Sequence, residues 1–99
     1  MKLSYPTTLV LQALSKGHRY GFEIMDFTDL PSGTTYPILR RCEHKKLVRS
    51  RWETLSQAHA DGRPARRYYE LTEAGREALA LALERIAAQQ EILAPESSR

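Results

Sequence analysis

One cysteine, Cys42, is all that the 99 residues contain, so an internal disulfide is excluded. In an intracellular protein such a residue is most often a small buried apolar side chain, and a redox-sensing role would require an accessible thiolate. The three histidines, His18, His44 and His59, are too scattered for a local metal site, with no second cysteine to join them. No apolar run approaches the length of a membrane span, and the N-terminus lacks the charged-then-apolar order of a secretory signal. The expectation is a cytoplasmic protein with no membrane partner. Nucleophile-elbow, phosphate-loop and zincin spacings are also missing, so no catalytic residue, no metal ligand and no cofactor is expected.

What is present is positive charge in one place. The net charge of +3 is mild, but residues 40–67 hold nine Lys/Arg against three Asp/Glu, a net of +6. From Tyr68 onward three arginines face six acids, a net of −3. A basic middle followed by an acidic segment suggests one face built for a polyanion. With 41% hydrophobic residues, the chain is long enough for one domain with a modest core.

The basic stretch ends in turn chemistry. Asp61-Gly62-Arg63-Pro64 pairs a glycine that tolerates positive φ with a proline that stiffens its neighbours, and Arg63, Arg66 and Arg67 lie within five residues. Val48–Leu55 alternates apolar with polar or charged residues, as does Arg67–Leu71, so two strands are expected to flank the turn. Trp52 would support the hairpin from its strand. Arginine forks match phosphate oxygens and carry a charge that cannot be titrated away. A solvated basic hairpin without a partner is the other reading of this segment.

The first half reads as three helices. Pro6 stands near the start of the first and Gly17 near its stop. The second covers Tyr20–Phe27, with Phe22, Ile24, Met25 and Phe27 as core candidates. Pro31-Ser32-Gly33 breaks it, and Ser32, Thr34 and Thr35 are capable caps for the third, which runs through Lys46. Pro37 fits that helix only near its first turn. After the hairpin, Thr72 suits an N-cap, and Leu79, Leu83, Ile86 and Leu93 recur on one stripe of a final helix reaching about Leu93.

The fold class is therefore mainly α with a small β-hairpin (α+β): a winged helix-turn-helix over residues 1–72, a C-terminal dimerisation helix over 73–94 and a flexible tail over 95–99. In such folds the second helix of the turn motif enters the major groove while the wing follows nearby backbone. Ser32, Thr34, Thr35 and Tyr36 would then stand at the DNA, with Arg40, Arg41 and Lys45 beyond them and Arg63, Arg66 and Arg67 on the wing. Thr34 and Thr35 could instead serve as caps, and Tyr36 could pack on the core. The dimer interface would comprise Leu79, Ala82, Leu83, Ile86, Gln90 and Leu93, unless the helix merely folds back on its own domain.

The chain resembles the PadR family of transcriptional regulators. The resemblance is carried by Tyr20-Gly21-Phe22-Glu23-Ile24, by Ser32-Gly33-Thr34-Thr35-Tyr36-Pro37-Ile38-Leu39-Arg40-Arg41, by Leu47-Val48 and above all by the run from Gly62 to Gly75. It implies a homodimeric repressor of a double-stranded DNA operator, in the short branch with one C-terminal helix. The family's effector, where there is one, is often a small aromatic compound. Cys42 departs from the family's larger aliphatic residue, which implies packing beneath the third helix that is either looser or compensated elsewhere. Lys46 departs from a glycine that commonly ends that helix, which costs stability if a left-handed conformation is still needed. A winged-helix module for protein contact or nonspecific nucleic-acid binding remains the alternative, and a regulator tuned by oxidation of Cys42 a third.

Overall fold

The computed structural model describes residues 2–96; residues 97–99 of the expected tail lie outside them. Ser4 caps the first helix, α1 (Tyr5–Ser15), by accepting from the Thr7 N–H, and Pro6 sits in its first turn, where a missing N–H costs nothing. The second helix, α2 (Gly21–Thr28), starts with a capping box in which Glu23 reaches back to the Tyr20 N–H. Asp29 ends it in the left-handed region at φ 62°. The third helix, α3 (Ser32–His44), follows after Pro31.

Three expectations for this half are corrected. Of the proposed α2 core residues only Ile24 is fully buried; Phe22 and Phe27 are each nearly half exposed. The residue before α3 is Pro31, and no side chain caps its first turn. Pro37 falls in the second turn, where the N–H it lacks would have met the carbonyl of Gly33 on the exposed front of the helix.

Strand β1 (Val48–Trp52) pairs antiparallel with β2 (Arg67–Leu71), in the register Val48 to Leu71 and Trp52 to Arg67. The expected strand through Leu55 stops at Trp52. Thr54 instead accepts from the Gln57 N–H and caps a short helix, α4 (Leu55–Ala60), which sequence alternation missed. Gly62, at φ 67°, then turns the chain back. Trp52 is 64% exposed and does not support the hairpin by burial.

Thr72 caps the last helix, α5 (Glu73–Leu93), through the Gly75 N–H and also donates to the Lys46 carbonyl at 2.6 Å. Lys46 does adopt the left-handed conformation, at φ 64°. The junction is tight, since a Cβ at Gly75 would overlap the Leu47 carbonyl. One core joins Val10, Leu11 and Leu14 of α1, Ile24 of α2, Ile38, Leu39 and Cys42 of α3, Val48 and Leu71 of the hairpin, and Leu79 and Ala82 of α5. A cleft of about 210 Å³ lies beside Cys42. Burial raises the Cys42 thiol pKa, so the thiolate that oxidation requires is disfavoured.

Beyond Ala82 the last helix leaves this core. The molecule measures 59 × 24 × 21 Å, with a radius of gyration of 16.1 Å, against about 13 Å for a compact chain of this length. The excess is α5, about 31 Å long at 1.5 Å per residue.

Candidate nucleic-acid interface

Helices α2 and α3 with their turn present the front of α3 to solvent. Ser32, Tyr36, Arg40 and Arg41 are exposed and Thr34 half-buried, while Ile38, Leu39 and Cys42 on the opposite side fill the core. Thr35 must be taken off the expected surface. Its side chain is fully buried and its hydroxyl finds no hydrogen-bond partner among the described residues. One turn of helix separates Thr35 from Ile38 and Leu39, so it shares their inward side. Tyr36 packs inward, its ring lying so close to Gly21 that a Cβ there would overlap it, yet 39% of the residue stays exposed.

The wing differs from a tip of free arginines. Glu53, which follows β1, is buried and accepts from both terminal nitrogens of Arg63, the second at 3.0 Å. The Tyr20 hydroxyl and the Arg66 backbone N–H each donate to it at 2.9 Å. Arg63 beside it holds its carboxyl at a pKa of about 2. The folded value lies below the unfolded one, so this group's stabilisation is complete above the ordinary carboxylate range and is lost as pH falls toward about 2. Arg63 also pairs with Asp61 at 2.9 Å and is mostly covered. The expected role of Arg63 as a phosphate ligand is thereby corrected, since its donors face carboxylates.

Arg66 and Arg67 remain at the surface in prepared positions. The Arg66 guanidinium lies 4.7 Å from the Tyr20 ring centre and 5.0 Å from that of Phe22, with Nε 3.8 Å from Glu53 and without a hydrogen bond. Arg67 donates to Glu43 at 3.2 Å and Ser50 at 2.9 Å and lies over Trp52. Arg49 and Arg51 share Glu70. A cleft of about 310 Å³ between α2, α3 and the hairpin brings Tyr20, Phe22, Tyr36, Trp52, Arg66 and Arg67 together. Lys45 is exposed at the end of α3.

Sequence reasoning missed Glu53, Glu43 and the exposed aromatics Phe22 and Trp52. Glu53 gave no signal, because strand alternation puts it on the side of the exposed Arg49 and Arg51 and so predicts an outward side chain. The stripe on α5 is also divided. Leu79 and Ala82 belong to the chain's own core, whereas Leu83, Gln90 and Leu93 are exposed and Ile86 half-buried.

Three helices, a two-stranded wing and a protruding last helix define a winged helix-turn-helix module with an exposed recognition helix. The model of the transcriptional regulator PadR-like family matches residues 10–81, and the chain belongs to that family. Solved structures agree. A PadR family transcription regulator from Clostridium difficile is 27% identical, with a TM-score of 0.78 over 91% of this chain and 95% of that one. A PadR-like transcriptional regulator from Bacillus cereus is 25% identical, with a TM-score of 0.68 over 91% and 92%. BpsR of Bordetella bronchiseptica shares the fold at 24% identity, with a TM-score of 0.66 over 93% and 63%. A comparison with curated proteins finds no match. The family and these neighbours are transcription regulators, not enzymes, and the fold is that of a DNA-binding regulator. No described helix is long and apolar enough to cross a membrane.

Proposed function

We propose that the protein is a homodimeric, sequence-specific repressor whose operator is released by a small aromatic effector. The observation that carries the reading is the unpaired front of α3, with Tyr36, Arg40 and Arg41 exposed beside the prepared wing. Hydroxyl and guanidinium groups at the start of a helix suit base edges, and the wing arginines suit the neighbouring backbone. In this reading residues 1–72 bind DNA and 73–94 pair two copies.

Pairing is supported by the far half of α5. Leu83 and Ile86, still beside the first helix, run on along one side of α5 into Gln90 and Leu93, and Leu93 is 82% exposed. An apolar side of this kind is what a second copy would cover. The effector is supported only by a relative: the DNA binding of BpsR is regulated by 6-hydroxynicotinic acid.

Sedimentation equilibrium joined to footprinting tests the assembly. A dimer protecting two half-sites about one helical turn apart is expected, with Leu83→Glu plus Leu93→Glu giving folded monomers that bind weakly. A wild-type monomer covering one uninterrupted site would refute the pairing.

A further inference from the structure

We infer that Glu53 is the positioning residue of the wing: its buried carboxylate ties both ends of the α4 loop to the N-terminal end of α2, so the wing meets DNA as a fixed element. The inference rests on the DNA-binding reading for its consequence, and on geometry alone for the tie.

Four donors converge on this one side chain, whose exposure is 2%. Tyr20 comes from the residue capping α2, Arg63 from the far end of the loop and the Arg66 N–H from the approach to β2. The Glu53 N–H donates in return to the Arg66 carbonyl at 2.8 Å, closing the hairpin at the same point. Little else holds the loop. Helix α4 packs on no other element to a significant extent, and Ala58 is the one buried residue in it. A loop of thirteen residues, 54–66, without a core of its own would otherwise sample many conformations. The tie also sorts the arginines. Arg63 is consumed by the carboxylate, while Arg66 is left beside it with its guanidinium over Tyr20 and Phe22, at the edge of the cleft that faces α3.

A role in global stability would loosen the whole molecule, whereas a positioning role loosens residues 54–66 alone. Hydrogen exchange without DNA, read by mass spectrometry, separates the two in Glu53→Gln, Arg63→Gln and Tyr20→Phe. Tyr20→Phe removes one neutral donor, orphans no charge and keeps the ring under Arg66, so it remains informative if the other two fail to fold. Exchange over residues 54–66 is expected to rise roughly fivefold in Tyr20→Phe and on the order of a hundredfold in Glu53→Gln, with α1, α3 and α5 unchanged. DNA affinity is expected to fall in the same order, with an unaltered ratio of operator to shuffled duplex, and the Glu53→Gln plus Arg63→Gln double variant is expected to bind no worse than Glu53→Gln alone. Wild-type exchange over residues 54–66 in Tyr20→Phe, or uniform acceleration across the chain, overturns the tie. Losses that add in the double variant overturn the role assigned to Arg63. Wild-type protein that binds no duplex overturns the DNA consequence, while the exchange data still decide the tie.

Discussion

Arg40 and Arg41 on α3 stand in solvent with no carboxylate partner among the described residues, whereas Arg63, Arg66 and Arg67 of the wing all lie against carboxylates or aromatic rings of their own chain. The same residue type is thus used in two ways. A free guanidinium exchanges only water and counterions for a phosphate, so its charge is fully available to DNA. An engaged one must leave a partner or stay as scaffolding. In the proposed reading recognition therefore falls to the helix, and the wing supplies a shaped, partly neutralised support.

The largest effect that would sharpen this contrast lies at Tyr36. Tyr36→Ala is expected to cost about 2 kcal/mol on the operator and to erode preference over random DNA, as competitive titration would show; equal losses on both duplexes would remove its base-reading role. Next come the two kinds of arginine. Arg40→Ala should lower the salt slope of binding by about 1, and Arg67→Ala should lower it by less, because Glu43 already offsets that charge. Equal slopes would erase the distinction between helix and wing.

Two stability effects bound the interface from within. Thr35→Val is expected to raise stability by about 1 kcal/mol, because it deletes a buried hydroxyl without a partner, and to leave operator affinity unchanged. A loss of affinity would return Thr35 to the DNA surface. The smallest shift is expected for Lys46→Gly, about 0.5 kcal/mol of stabilisation from relief of a left-handed lysine, net of glycine's greater chain entropy, and is readable in a denaturant midpoint.

How legible the molecule was in its sequence followed from how local each signal is. Caps, turn glycines and the α5 periodicity act within a few residues, so Thr72 and Gly62 could be read directly, whereas the left-handed cost at Lys46 was legible only through the family's glycine at that place. Helix α4 carried a local signal as well, a Thr cap before Leu-Ser-Gln-Ala-His-Ala, but the alternation of β1 ran over it. The inward turn of Thr35 and the exposure of Phe22 and Phe27 depend on how α2 and α3 lie against each other, which no short window contains. Glu53 was hidden for the same reason: its donors come from positions 20, 63 and 66. The α5 stripe was visible as a period, but the point at which it leaves its own core was not.

The most direct test of the central claim is fluorescence-anisotropy binding of the purified protein to DNA from immediately upstream of its own gene, against a shuffled duplex, at two salt concentrations. Tight binding that prefers the upstream sequence and weakens steeply with salt is the predicted result. Equal, weak binding to both duplexes would contradict an operator at that site and favour a nonspecific use of the fold.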